Sequence, residues 1–281
     1  MKRLLMLGAL AAIAAVGVLG GFGADRTNAQ SEPGLVDFKC YRAVGHDFEA
    51  AGRDVFIVDQ YDGKEATVVE PNALCNPVEK EDEGTGPFTG AGFRESDFYT
   101  CYKIDQEGFF FDFVEVSNQF DKEIKGGQEL FVRSANQLCV VSNKESNELT
   151  EGAGGGPSVD VALPHLKCYP ASWTDWEDFE PIDRELEDQY RETEALVLWP
   201  VSLCTSILEW DFDEFSNPTS AGADGDAASK NAQALVCYRI WEPGLEVNFA
   251  ETWNDLGGAD MVVLWAQTLC VESTKLNNNL N

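Results

Sequence analysis

The chain has 281 residues and carries 49 acidic against 20 basic side chains, a formal net charge of -29. A field of that sign repels nucleic acid and anionic membrane, so neither is expected as a partner. Aliphatic and aromatic residues make up 44% of the chain, and its eight cysteines are an even number, so packed cores and paired thiols are both within reach.

Residues 1–29 read as an export signal. Lys2-Arg3 is the charged start, Leu4 to Leu19 the apolar run, and Thr27-Asn28-Ala29 a small-x-small site with cleavage expected after Ala29. The run is short, rich in Gly and Ala, and followed by no stop-transfer charges, so no membrane insertion is expected after cleavage. Losing Lys2, Arg3 and Arg26 with only one acid, Asp25, leaves the remainder more acidic still. The expected location is outside the cytosol: extracellular, cell-surface or periplasmic.

From residue 37 onward the chain repeats itself four times, over 37–80, 98–144, 165–209 and 234–275. Each unit holds a Cys-Tyr pair followed by a Leu-Cys pair: Cys40 with Cys75, Cys101 with Cys139, Cys168 with Cys204, and Cys237 with Cys270. No Cys-x-x-Cys occurs and only His46 and His165 are present, so metal binding is not expected and four structural disulfides are. Repeat symmetry leaves two pairings: closure within each unit, or each Leu-Cys joined to the next Cys-Tyr with Cys270 returning to Cys40. Closure within units is preferred, because a self-contained unit survives duplication.

Within each unit the Cys-Tyr segment reads as a strand. An apolar residue two before the cysteine (Phe38, Tyr99, Leu166, Leu235) puts the thiol on the inward face. The tyrosine then faces the other way with Ala43, Ile104, Ala171 or Ile240, which predicts a strand covered on both sides or reset by a bulge. A second strand leads to Asp59-Gln60-Tyr61, Asn118-Gln119-Phe120, Asp188-Gln189-Tyr190 and, in the fourth unit, Glu251-Thr252-Trp253. Hairpin signals follow at Asp62-Gly63, Gly126-Gly127 and Gly257-Gly258, while Arg191-Glu192-Thr193 lacks one. A third run ends at the Leu-Cys pair, with an acid ten residues before the cysteine (Glu65, Glu129, Glu194, Asp260) and valine seven before it (Val68, Val132, Val197, Val263). Residues 81–97, 145–164 and 210–233 read as linkers. The expected fold is all-β, with four disulfide-closed repeats of three to four short antiparallel strands. Separate beads, paired sandwiches or a closed ring are the possible packings, and pairing is preferred because three strands alone bury little.

Cys40-Tyr41-Arg42, Asp59-Gln60-Tyr61 and Leu74-Cys75-Asn76-Pro77 through Lys80 resemble a Cys-Tyr-Lys, Asp-Gln-Phe, Leu-Cys-x-Pro repeat of exported bacterial proteins of unknown function. The third unit departs from it at Pro170 and at Glu209, where the others have Lys80, Lys144 and Lys275, and the fourth lacks the Asp-Gln pair. The resemblance implies an exported location and a repeat architecture, and no activity.

Chemistry is less legible. His46 reads as part of a Gly45-His46-Asp47 turn and His165 as lying just before a strand, the thiols are expected in bridges, no Gly-x-Ser-x-Gly or phosphate loop is present, and Asp224-Gly-Asp226 matches a calcium loop only in part. No catalytic residue and no cofactor are therefore expected. All seven tryptophans lie in the last two units. Trp199 and Trp265 share one repeat position and read as core. Trp173, Trp176, Trp210 and Trp241 stand beside acids in loops or strand ends and are the candidate ligand-binding residues. The expectation is a non-enzymatic secreted or cell-surface protein with a binding or structural role. Its expected partner is a polysaccharide or a cell-envelope protein, and its oligomeric state stays open. The alternative is a secreted carbohydrate-active hydrolase using Asp175, Asp178, Asp211 or Asp213 near those tryptophans. A third reading has the units joining edge to edge into a surface layer.

Overall fold

A computed structural model of the chain describes residues 37–80, 98–122, 128–145, 163–174, 179–211, 234–244 and 247–276. The described residues are all-β apart from a one-turn 3-10 helix at Gln119–Lys122. The Cys-Tyr strands are β1 (Phe38–Phe48), β5 (Phe98–Gln106), β9 (Leu166–Trp173) and β13 (Ala234–Trp241). The second strands are β2 (Asp54–Val58), β6 (Phe111–Asn118), β10 (Ile182–Glu187) and β14 (Asn248–Asn254). The Leu-Cys strands are β3 (Gly63–Pro77), β11 (Glu192–Ser206) and β15 (Gly257–Lys275), with β7 (Gln128–Arg133) and β8 (Gln137–Glu145) as the same strand broken in the second unit. Two short pieces, β4 (Glu79–Lys80) and β12 (Glu209–Asp211), extend the first and third units.

All fifteen strands join one sheet. The units do not pack as two sandwiches: eight strands pair in the cycle β1, β3, β5, β8, β9, β11, β13, β15 and back to β1. Closure removes the sheet edges that three-stranded units would each expose. Long strands make it possible. β15 runs for 19 residues, so its first half forms a hairpin with β14 while its second half stays in the ring. The expectation of short strands is corrected on this point.

The disulfides close within units, Cys40–Cys75, Cys101–Cys139, Cys168–Cys204 and Cys237–Cys270, between residues directly opposite each other on neighbouring ring strands. The second pairing considered from the sequence is nonetheless present as contact. Cys270 approaches Cys40 at 3.6 Å, Cys75 approaches Cys101 and Cys139 approaches Cys168 at 3.7 Å, and Cys204 approaches Cys237 at 3.9 Å between sulfurs. Eight sulfurs thus form an unbroken belt inside the ring, in which covalent S–S bonds alternate with dispersion contacts between bridges. They pack with Phe38, Tyr99, Leu166 and Leu235 as one core. For loops of about 36 residues the chain-entropy model assigns about 4 kcal/mol to each bridge.

The opposite face of the same strands carries the larger core. Tyr41, Tyr102, Tyr169 and Tyr238 lie there with Leu74, Leu138, Leu203 and Leu269, and with Val68, Val132, Val197 and Val263. Both predictions for the Cys-Tyr strand hold: it is covered on two sides, and its register slips at Cys40/Tyr41 and Tyr41/Ala43 against β15. Each tyrosine reaches the hairpin turn of the unit two places away. Tyr41 Oη donates to Asp188 Oδ2 at 2.7 Å, and Tyr169 Oη donates to Asp59 Oδ2 at 2.8 Å. Tyr102 Oη accepts from Asn254 Nδ2 at 2.7 Å; Tyr238 Oη accepts from Asn118 Nδ2 at 2.8 Å and donates to Gln128 Oε1 at 2.6 Å.

The Asp-Gln-aromatic triplet is the other half of this clasp. Asp59 Oδ1 accepts from the backbone N–H of Tyr61 and of Asp62, and Asp188 Oδ1 from those of Tyr190 and Arg191. One carboxylate therefore shapes its own turn and anchors the distant phenol, which is why the third unit needs no glycine there. The aromatic two residues on packs edge-to-face against the same phenol ring, Tyr190 on Tyr41 and Tyr61 on Tyr169, with centroids 5.1 Å apart, and Phe120 on Tyr238 at 4.9 Å. In the fourth unit the equivalent residue is Asn254, whose Oδ1 accepts from Leu256 N–H, not Glu251. The sequence alignment of that unit shifts by three. Gly126-Gly127 lies outside the described residues. Backbone pairing completes the clasps, β12 with β2, β4 with β10, β8 with β14 and β15 with β6.

Asp59 has no exposed side-chain surface. It also accepts from Thr205 Oγ1 at 2.6 Å and lies 3.9 Å from Lys167 Nζ. Asp59→Ala removes the acceptor of the buried Tyr169 phenol and one of the two acceptors of Thr205, and takes one of two carboxylates from the buried Lys167, and is expected to cost about 3–5 kcal/mol in urea unfolding. Asn118→Ala, which breaks an uncharged clasp, is expected to cost about 1–3 kcal/mol.

Burial is the leading cause that raises the pKa of six tyrosines, Tyr41, Tyr61, Tyr102, Tyr169, Tyr190 and Tyr238, above the ordinary 10.0; Tyr102 rises to about 12. A raised folded value means the unfolded chain gives up its protons first, so this stability is present below pH 10 and is lost as pH rises beyond it. Lys275 acts in the opposite sense. Burial lowers it from 10.5 to about 8, so its contribution grows with pH between those values, but it is one group against six. Alkaline titration is expected to show little phenolate absorbance until a cooperative unfolding step releases it. Smooth titration near pH 10 in folded protein would contradict the clasps.

Candidate functional site

The ring encloses a cavity of about 200 Å³. Counting back from each second cysteine, the residue two before (Ala73, Gln137, Ser202, Thr268) and the residue three before (Asn72, Asn136, Val201, Gln267) face the space beside the sulfur belt. Phe38, Tyr99, Leu166 and Leu235 lie on the other side of the belt and are all buried. Phe38 and Tyr99 meet with ring centroids 4.9 Å apart, and Tyr99 Oη donates to the Pro164 carbonyl at 2.9 Å. One end is thus an apolar plug. The other is a polar mouth, where Gln137 Nε2 donates to Asn72 Oδ1 at 2.8 Å.

The next residues outward on the Cys-Tyr strands are Arg42, Lys103, Pro170 and Arg239, at one repeat position. Cross-strand partners on an antiparallel ladder point to the same face. Arg42 stands opposite Ala73, Lys103 opposite Gln137, Pro170 opposite Ser202 and Arg239 opposite Thr268. Pro170 itself lines the cavity. The three cations therefore sit at the mouth of an otherwise strongly acidic protein, and all three are exposed. Among the described residues none of them forms an ion pair. Glu70, opposite Lys103, and Asp105, two residues beyond it on the same strand face, lie on the Lys103 side.

The tryptophans need several corrections. Trp199 and Trp265 are not core: they are 52% and 37% exposed. The cause is a bulge. Two residues, Leu264 and Trp265, lie between Val263 and Ala266 where the partner strand has only Arg42 between Ala43 and Tyr41, and Val197 and Pro200 stand likewise against Ile240 and Tyr238. The extra residue turns the following side chain outward. Trp265 consequently lies under Arg42, whose Cζ is 5.6 Å from its ring centroid. Trp199 occupies the equivalent bulge opposite Arg239. Trp241 is 63% exposed and shares a strand face with Cys237 and Arg239, so this candidate joins the rim. Trp173 does not. It is 8% exposed and packs edge-to-face on Phe179 with centroids 5.6 Å apart. Trp210 lies in β12, opposite Ile57. Trp176, Asp175, Asp178 and Asp213 fall outside the described residues.

A second surface went unnoticed in the sequence. Phe109, Phe111 and Phe113 are exposed, Phe109 at 80%, and touch each other or Phe131 with centroids 5.2–6.3 Å apart. The run Gly108-Phe109-Phe110-Phe111-Asp112-Phe113-Val114 was the available signal. Period two puts the odd-numbered residues on one face, and Phe110 and Val114 take the other.

His165 is a structural residue. Its Nδ1 accepts from Val141 N–H at 3.2 Å, and Nε2 lies 3.2 Å from Asp255 Oδ2. Burial holds its pKa below 6.5 despite that carboxylate. Among the described residues no cluster of metal-ligating side chains occurs, and no helix is long and apolar enough to cross a membrane.

No protein-family model matches the sequence, and comparison with curated proteins and with solved structures gave no match. Trp173→Ala is expected to cost about 3–5 kcal/mol in denaturant unfolding, whereas Trp241→Ala is expected to stay within about 0.5 kcal/mol. Equal losses would show that Trp241 is structural.

Proposed function

We propose that this protein is a non-enzymatic binding module of the cell exterior whose binding site is the open mouth of the ring, with a polysaccharide or cell-envelope component as partner. The four disulfides indicate a non-cytoplasmic protein, and the signal-like residues 1–29 agree with secretion. The single observation that carries the binding role is the mouth itself. It is a cavity plugged by apolar side chains at one end and fringed at the other by amides, hydroxyls, guanidinium groups and exposed indoles. Convergent polar groups beside aromatic surface are what a preformed ligand site requires.

The mature chain, incubated with a panel of soluble polysaccharides and solubilised envelope fractions, is expected to retain a ligand and release no product. Retention should fall when Trp199, Trp241 and Trp265 are replaced together by Ala. Release of reducing ends or peptides from any fraction would replace this reading with a catalytic one.

A further inference from the structure

The mouth has fourfold symmetry in its backbone and none in its chemistry. β15 has β1 on one side and β13 on the other. Arg42 on β1 stands opposite the bulge that holds Trp265, and Arg239 on β13 stands opposite Thr268. Neighbouring strands lie about 4.8 Å apart, so the two arginines start from backbones about 10 Å apart across β15. Between them β15 presents Gln267 and Thr268 to the cavity, and Trp199 and Trp241 flank Arg239. The carboxylates that accompany Lys103 stand on β3 (Glu70) and β5 (Asp105), where Glu70 is opposite Lys103. Two guanidinium forks, one amide, one hydroxyl and three exposed indoles thus share one sector.

Each group type selects a part of the ligand. Guanidinium forks match the geometry of a carboxylate and form the stronger, charge-assisted hydrogen bonds. Indole faces stack on the flat apolar faces of sugar rings, and amides and hydroxyls meet ring hydroxyls. The overall negative charge does not veto an anion here. At physiological salt, charges more than about 8 Å away are largely screened, so the adjacent arginines set the local potential.

We propose that the sector formed by Arg42, Arg239, Gln267 and the rim tryptophans binds a carboxylated sugar, a uronate unit of an acidic polysaccharide. The carboxylate is held between the two arginines and the ring lies on an indole. This inference rests on the binding role proposed above and adds the ligand's charge and class.

The test titrates the mature chain with galacturonate trisaccharide, its fully methyl-esterified form and acetate, reading tryptophan fluorescence and heat. The trisaccharide is expected to bind, the ester at least tenfold more weakly, and acetate not measurably at the same concentrations. R42Q/R239Q is expected to lose on the order of tenfold or more in trisaccharide affinity. Unchanged near-ultraviolet circular dichroism would confirm that its fold is intact. W265A, which leaves both charges in place, is expected to weaken the trisaccharide severalfold. Ester binding as tight as the acid, or R42Q/R239Q binding unchanged, overturns the uronate inference while the saccharide-binding role stands. Acetate binding as tight as the trisaccharide overturns the sugar component. Failure of both trisaccharides to bind, together with an empty polysaccharide panel, overturns the inference and the role it rests on.

Discussion

The fold depends on one local fact, that adjacent residues of a strand face opposite sides. At each Cys-Tyr pair the sulfur enters the ring and the phenol enters the outer core, so two neighbouring residues hold two cores at once. Neither layer is optional. Without the belt of sulfurs the lumen would be an unfilled hole between eight strands, since the plug of Phe38, Tyr99, Leu166 and Leu235 covers only one side of it. Without the tyrosines the outer hairpins would have no buried polar anchor to fix where each lands. A small unit of this kind buries little alone, and the ring converts four marginal units into one closed sheet with no long free edge.

The clasps divide the repeats into two kinds. Units one and three share Lys39 and Lys167 before the first cysteine, Asp59 and Asp188 at the turn, and Pro71 and Pro200 four residues before the second cysteine. Units two and four have Asn118 and Asn254 at the turn and Ala135 and Ala266 in place of the prolines. Every clasp joins two units of the same kind. The first kind is charged: Lys167 of the third unit pairs with Asp62 of the first, while Lys39 and Arg191 both reach Glu242 of the fourth unit beside that clasp, with both ammonium groups fully buried. The second kind relies on amides and hydroxyls such as Thr100 with Thr252. Like therefore binds like across a twofold relation, the arrangement of a symmetric dimer, here drawn into one chain. A charged clasp cannot be swapped for a neutral one without leaving a buried ammonium or carboxylate unpaired, so the two kinds also fix the order in which the units close.

Much of this was legible because it repeats. Four similarly spaced Cys-Tyr and Leu-Cys pairs specify strands, faces and bridges, and comparing the units within the chain substitutes for comparison with relatives. What stayed hidden was whatever breaks the period of two. The bulges at Trp199 and Trp265 add one residue on one strand only, and no composition signal marks them, so both indoles were placed in the core. The three-residue shift at Asn254 was masked by Glu251, which offers the same kind of oxygen. Ring closure was one of the packings the sequence left open, and pairing was preferred over it for a different reason. Pairing between β15 and β1 joins residues 230 apart at Cys40 and Cys270, and local pattern carries no information about partners at that separation.

The site was legible only as an imbalance, seven tryptophans crowded into half the chain. The fold explains why that imbalance is tolerated. The belt, the plug and the clasps use positions that all four units need, and these vary little in kind. The rim positions, two after the first cysteine and five before the second, take part in neither core, so nothing in the packing restrains them. Arg42, Lys103, Pro170 and Arg239 can differ from one another, as can Glu70, Ser134, Trp199 and Trp265. A symmetric scaffold thus leaves an asymmetric rim, and chemistry concentrated on the β15 side carries information that the repeat does not require.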